Sequence, residues 1–282
     1  MIKKISLFVL LTVILINCKT YQSTTVTSKT ELKEDQNLNA VLWMQTSLEY
    51  EMLCKQTYKN AESYLDEALK DSTWTAALEQ EGDYQKLPPA IIVDVDETIL
   101  DNSPFQARLS KTHTPYTEDL WQGWVKEKAA KPIPGSKEFI NKAIEKGVTI
   151  FYVTNRELEA PTVENLQREI NPNITADVVL CKNEQKDWTS NKTSRRYFVA
   201  DTHRILLLVG DDYNDFEFLG SSTPADRITL ASQNTKYWGK YWFILPNPTY
   251  GSFEKAILDY DYSLPDSTKL HLKYEHLKTE EY

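Results

Sequence analysis

The apolar positions change character several times along the chain. Behind Lys3 and Lys4, the stretch from Leu7 to Ile16 is apolar apart from Thr12. That is too short to span a bilayer and suits the core of a secretory signal. Residues 19–36 are polar and rich in Ser and Thr, the composition of a tether. From Leu38 to Leu69 apolar side chains recur at helical spacing: Leu38, Val41, Leu42, Met44, Leu48, Met52, Tyr58, Ala61, Tyr64, Leu65 and Leu69. This spacing predicts one or two helices packed on a core. Residues 79–89 predict a loop that Pro88 and Pro89 deliver to a first strand.

Four short runs follow that are nearly continuous rather than alternating: Ala90–Val93, Val148–Val153, Ala176–Leu180 and Ile205–Val209. Continuous apolar, β-branched runs are the mark of parallel strands covered on both faces. Helical patterns lie between them, at Gly135–Lys146, Ala160–Ile170 and Lys192–Thr202. The alternation predicts an α/β fold, an open parallel sheet flanked by helices with right-handed crossovers, behind an N-terminal helical segment. Tyr241–Leu245 predicts an edge or fifth strand. The interval from Asp96 to Gly135 is too long for a plain crossover. Residues at about 98–134, with Trp121 and Trp124, predict an inserted cap over the carboxyl edge of the sheet.

Composition is that of a globular protein, with 41% hydrophobic and 26% charged residues. The formal charge is −9, and removal of residues 1–17 would make it more negative. An acidic chain argues against binding a nucleic-acid polymer, which needs a basic surface. The three cysteines are Cys18, Cys54 and Cys181. The last two could pair in an oxidising envelope; Cys181 closes an apolar run and is expected to be buried and unpaired.

The chemistry lies at the predicted strand ends. The first strand ends in Asp94-Val95-Asp96-Glu97, the second in Thr154-Asn155-Arg156, and the fourth in Gly210-Asp211-Asp212-Tyr213-Asn214-Asp215. Ligands of open parallel sheets bind outside the carboxyl ends of the strands, so these groups converge on one rim. Carboxylates gathered there repel unless a cation sits among them. An all-oxygen acidic set selects a hard ion such as Mg²⁺.

These motifs, DVDET, TN after a second strand, a lysine and GDxxxD, resemble the haloacid dehalogenase (HAD) superfamily. The longer stretches DVDETILDNSPF, WQGWV, KPIPGSKEF, FYVTNRE, LLVGDDYNDF and LPNPTYGSFEKA are similar to the class C acid phosphatases, lipoprotein 5′-nucleotidases of bacterial envelopes. The resemblance spans about Leu38 to Leu258 and implies a HAD-like Rossmannoid sheet over residues 38–282. It implies Asp94 as nucleophile and Asp96 as acid and base. Thr154, Asn155 and Lys192 would bind phosphate, with Lys182 and Lys186 as the weaker lysine candidates. Asp94, Asp211 and the backbone carbonyl of Asp96 would hold Mg²⁺. Asp215 would orient the lysine or metal-bound waters. Phe105 and Tyr250 would stack on either face of a base or aryl ring.

Glu97 is expected to support its loop, and Asp212 to be a solvated loop residue. Arg156 reaches phosphate or pairs with Glu157. His113 is expected to be structural. The implied activity is Mg²⁺-dependent hydrolysis of 5′-nucleotides, nicotinamide mononucleotide among the candidates, and of aryl phosphates through an aspartyl-phosphate. The alternatives are a broad acid or sugar phosphatase, or a non-catalytic surface binding lipoprotein. Leu15-Ile16-Asn17-Cys18 resembles a bacterial lipobox, with Asn17 where Gly, Ala or Ser is usual. It implies residues 1–18 as a lipoprotein-type signal, a lipidated Cys18, and a membrane anchor in the cell envelope, in the outer membrane by resemblance. A plain signal peptide or an uncleaved anchor are the alternatives. The expected partners are a small phosphomonoester, the membrane and, as a further candidate, a second copy in a homodimer.

Overall fold

In a computed structural model, residues 35–280 are the described part of the chain. The expected signal, Cys18 and most of the tether lie outside the described residues. In chain order the elements are α1 (Leu38–Thr46), α2 (Leu48–Lys70), β1 (Pro89–Val93), β2 (Leu100–Asp101), α3 (Ser103–Thr112), α4 (Glu118–Glu127), β3 (Lys131–Pro132), α5 (Ser136–Glu145), β4 (Thr149–Val153), α6 (Glu159–Glu169), β5 (Val179–Leu180), α7 (Thr193–Ala200), β6 (Arg204–Gly210), α8 (Pro224–Gln233), β7 (Trp242–Ile244), α9 (Ser252–Ile257) and α10 (Asp266–Glu275). Among the described residues no helix is long and apolar enough to cross a membrane.

The helical N-terminal stretch is two helices. Ser47 leaves the helical conformation, and its hydroxyl accepts from the Tyr50 amide, so it closes α1 and caps α2.

Five strands form one parallel sheet in the order β5-β4-β1-β6-β7. Strand β1 is central, with Ile91 opposite Ile150 on β4 and Leu207 on β6. Alternate residues enter two cores. Ile91 and Val93 pack with Tyr58 and Leu65 of α2 and Phe139 of α5. Ala90 and Ile92 pack with Val199 of α7 and Trp242 of β7. Burial of both faces accounts for the continuous apolar runs.

The predicted strand Ala176–Leu180 is shorter than expected. Residues 176–178 form a 3₁₀ turn, and only Val179 and Leu180 pair, with β4. An edge strand with a single neighbour has less pairing to gain, and here the turn takes the first three residues.

The stretch at 98–134 leaves and rejoins the sheet through the antiparallel pair β2–β3 and carries α3 and α4 between them. Both Cys54 and Cys181 are buried and free.

Candidate active site

The chain leaves β1 at Asp94 and leaves β6 at Asp211, and β1 and β6 are neighbours with Val93 opposite Val209. The two carboxylates are therefore brought to one rim by sheet register. Asp215 joins them because the chain folds back after Gly210. Its Oδ2 accepts the amides of Asp211 (3.2 Å) and Asp212 (3.0 Å). A Cβ on residue 210 would lie 2.3 Å from that same oxygen, so this approach requires glycine.

Oxygens of Asp94, Asp211 and Asp215 lie within 4.8 Å of one another. Lys192, at the N-terminus of α7, donates to Asp94 and, at 2.6 Å, to Asp215 Oδ1. Asp94 and Lys192 are 7% and 5% exposed, so water does little to screen them. Burial pushes the Asp94 carboxyl up to about 7; Lys192 opposes this, while Asp215 and Asp96 add to it. Asp211 is raised well above the carboxylate range by burial, then by Asp94 and Asp215. Burial opposes the charge on Lys192, but Asp215 and Asp94 outweigh it and push its pKa up. Three carboxylates thus share one ammonium. An all-oxygen, over-acidic set of this kind fits a hard divalent cation.

Asp211 is held on both oxygens, by Thr98 Oγ1 at 3.1 Å and Asn247 Nδ2 at 2.9 Å. Tyr58 of α2 donates to the Thr98 carbonyl, so the N-terminal helix braces this loop from behind.

The Asp96 carboxylate is not part of the three-acid cluster. Its Oδ1 accepts Arg156 Nη2 at 2.7 Å, Arg156 Nε at 2.8 Å and Asn102 Nδ2 at 2.9 Å, and Thr154 Oγ1 lies 3.4 Å from Oδ2. Arg156 does not pair with Glu157: it binds Asp96, while Glu157 pairs with Lys182 at 2.7 Å. Asn102 is a hub, since its Oδ1 accepts Trp124 Nε1 of α4 at 2.7 Å and Arg156 Nη2 at 3.3 Å.

Glu97 is buried in the left-handed region at φ 57°. Its carboxylate accepts the Asn102 amide and side chain, both at 3.2 Å, and the Tyr250 phenol. Burial, then Asp96, raise its pKa well above the usual range. Tyr250 is half-buried. Phe105 departs from the expectation of an open stacking face. Its ring is 3% exposed, edge-on to Tyr116 and Trp121, with Trp124 alongside. It fills the interior between α3 and α4, and of the two aromatics only Tyr250 is partly exposed.

Asp212 is also not the solvated residue expected. It accepts the Ser252 amide and hydroxyl and the Asn214 amide, tying its loop to α9. Asn155 is exposed at the end of β4, with its Oδ1 held by Arg195. His113 is an exposed left-handed residue closing α3. The sequence reading missed Thr98, Asn102, Asn247 and Arg195. Thr98, Asn102 and Asn247 lie inside the DVDETILDNSPF and LPNPTYGSFEKA stretches and Arg195 in the basic stretch that begins at Lys192, so each had a local signal but none for its partner.

Comparison with known proteins gives the family. The model of HAD superfamily, subfamily IIIB (acid phosphatase) matches residues 7–253. The solved class C acid phosphatase from Bacillus anthracis is 34% identical, with a TM-score of 0.78, covering 87% of this chain and 98% of that one. A second structure of it, with tungstate bound, is 33% identical with a TM-score of 0.77. Among curated proteins, the class B acid phosphatase of Salmonella arizonae is 24% identical over 210 residues, 67% of this chain and 80% of that protein. The stem 28 kDa glycoprotein of Glycine max is 23% identical over 164 residues, 56% of this chain. The chain spans 58% of the length of that glycoprotein and 44% of the 31 kDa stem glycoprotein.

Proposed function

The chain belongs to subfamily IIIB of the HAD superfamily, the acid phosphatases, and from that membership we propose that it hydrolyses phosphomonoesters, 5′-nucleotides and aryl phosphates foremost, with Mg²⁺. The observation that carries the reading is the meeting of Asp94, Asp211, Asp215 and Lys192 at the ends of adjacent strands. Tungstate, a tetrahedral oxyanion like phosphate, is bound in the Bacillus anthracis relative, which supports an oxyanion ligand for the family.

Asp94 attacks phosphorus, forming a P–O bond as the bond to the leaving oxygen breaks. Asp96, held beside it by Arg156 and Asn102, gives its proton to that oxygen. In the second step a water attacks the phosphoaspartate, Asp96 takes its proton, and phosphate leaves with Asp94 restored. Lys192 neutralises part of the charge on nucleophile and phosphate, and Thr154 and Asn155 supply hydrogen bonds to phosphate oxygens. Mg²⁺ held by Asp94, Asp211 and the Asp96 carbonyl would let one anion approach another. Tyr250, anchored through its phenol to Glu97, offers a ring to the base or aryl group.

The test is phosphate release from 5′- and 3′-nucleotides, nicotinamide mononucleotide, an aryl phosphate and a sugar phosphate, with Mg²⁺ or chelator, beside Asp94→Asn. Release by wild type that needs Mg²⁺ and is lost in Asp94→Asn is expected. Equal release by the two proteins overturns the reading.

We also infer an envelope location through lipidation of Cys18, supported by the apolar leader and the lipobox-like LINC. Labelled palmitate should enter wild type and not Cys18→Ser; label in neither sets this aside.

A further inference from the structure

Arg195 lies on α7 one turn beyond Lys192 and is 0% exposed. Its Nη1 donates to the carbonyls of Thr154 and, at 3.3 Å, Leu180. Its Nη2 donates to Asn155 Oδ1 at 2.8 Å and the Thr189 carbonyl at 2.7 Å. None of these acceptors is a carboxylate, and among the described residues Arg195 forms no salt bridge; its Nε has no partner at all. The adjacent Arg196 is different, pairing with Glu79 at 2.7 Å. A buried guanidinium cannot shed its proton at ordinary pH and is costly without a counter-charge. Arg204, at the far end of β6 from Asp211, is likewise buried and bonded only to backbone carbonyls; what sets Arg195 apart is that its acceptors include Thr154 and Asn155 at the site end of β4.

We propose that Arg195 is a positioning residue for the phosphate cradle, an inference that rests on the phosphomonoesterase reading. It acts on both sides of the cradle. On one side it fixes the Thr154 carbonyl and the amide of Asn155. Because Arg195 takes Oδ1, the Asn155 amide cannot flip, and its NH₂ end is left for acceptors: one, the Ser190 carbonyl, is at 3.3 Å, and a phosphate oxygen is the other. On the opposite side Arg195 shares α7 with Lys192, so the lysine and the strand end keep one spacing. The fork shape of the guanidinium matters as much as its charge, since four acceptors on three chain segments converge on two nitrogens.

The test compares wild type, Arg195→Lys, Arg195→Ala, Asn155→Ala and the double variant Arg195→Lys/Asn155→Ala in the full chain with Mg²⁺. The readouts are kcat, KM, inhibition by inorganic phosphate, and Tm. Arg195→Lys keeps the charge and loses the fork. It should lower kcat/KM by about 10²-fold, the order expected when reacting groups are misplaced, and weaken phosphate inhibition at least about tenfold. In the Asn155→Ala background the same substitution should cost at least about threefold less than in wild type, because part of its effect runs through Asn155 and the rest through the Thr154 carbonyl and the spacing to Lys192. Arg195→Ala should regain activity and phosphate affinity with added guanidinium at millimolar, non-denaturing concentration, a rescue that a purely structural loss would not show. Wild-type activity with full phosphate affinity in Arg195→Lys, or losses that simply multiply in the double variant, overturn the proposal and leave the phosphatase reading standing. If Arg195→Lys does not fold, the guanidinium arm decides: no rescue overturns it. Failure of wild type itself to release phosphate takes down both.

Discussion

Lys192 Nζ stands 2.6 Å from Asp215 Oδ1 and donates as well to Asp94, so one ammonium links acids that enter the site from β6 and from β1. It is outnumbered, because Asp211 lies in the same cluster. The site is therefore electrostatically incomplete in the protein alone, and that imbalance has measurable consequences for stability.

Removing one negative charge from the cluster should stabilise the metal-free protein while abolishing turnover. Asp94→Asn keeps the side-chain volume, and Lys192 keeps Asp215 as a partner. In chelator at pH 8, the Tm of Asp94→Asn should equal or exceed that of wild type, and phosphate release should fall by at least about 10³-fold, as for loss of a covalent nucleophile. A lower Tm for the variant in chelator would show that the Lys192 contact outweighs the crowding.

Stabilisation by Mg²⁺ should grow with pH. The folded protein holds the Asp94 pKa up at about 7, through burial first and then Asp215 and Asp96. Between the ordinary carboxylate value, about 4, and 7, the folded state binds a proton that the unfolded chain has released. Metal-free stability from this group is thus present at low pH and is lost as pH rises through that window. Mg²⁺ competes with the same proton. The rise in Tm on adding millimolar Mg²⁺ should be small near pH 5 and largest above pH 7; a rise that is flat across this range would contradict it.

Gly210→Ala should damage the site without touching substrate. The added Cβ would meet Asp215 Oδ2 at 2.3 Å, forcing Asp215 off the amides of Asp211 and Asp212 and away from Lys192. Overpacking of this kind costs about 1–3 kcal/mol, read as a lower urea midpoint. Activity should fall more than stability explains, since Asp211 and Lys192 both lose a fixed neighbour. A variant with wild-type kcat/KM would mean that Asp215 has room elsewhere.

The sheet and its acidic rim were legible in the sequence because they depend on local patterns. Ile91, Phe151 and Leu207 sit in continuous apolar runs, and each run ends in polar residues at a fixed place. What escaped depends on contacts between distant segments. Whether residues 176–178 pair or turn is decided by the lack of a second neighbour strand, which no local pattern reports. Arg156 follows Asn155 and precedes Glu157, yet its partner is Asp96, 60 residues away. Arg195 and Arg196 are adjacent in a basic helix that looks exposed, and both are buried. Phe105 follows the motif closely enough to suggest the substrate, but its surroundings are set by how α4 folds back over α3.

The Tyr250–Glu97 contact separates two roles that one aromatic can play. The phenol donates to a buried carboxylate whose other donors come from Asn102. Tyr250→Phe keeps the ring and leaves Glu97 short of a donor. Each Glu97 oxygen keeps a donor from Asn102, so the loss is one hydrogen bond, about 0.5–1.5 kcal/mol, and Tyr250→Phe should unfold at slightly lower urea while keeping its preference for nucleotides over sugar phosphates. Tyr250→Ala loses the ring too. Stacking on one aromatic contributes about 1–3 kcal/mol per base, so kcat/KM for a 5′-nucleotide should drop by roughly 5- to 150-fold more than for a sugar phosphate, the equivalent of that range. The loss should fall mainly on KM, because a ring distant from phosphorus binds ground state and transition state alike. Equal losses on both substrates in Tyr250→Ala would confine Tyr250 to holding Glu97, and the ring-binding part of the proposed specificity would fall with it.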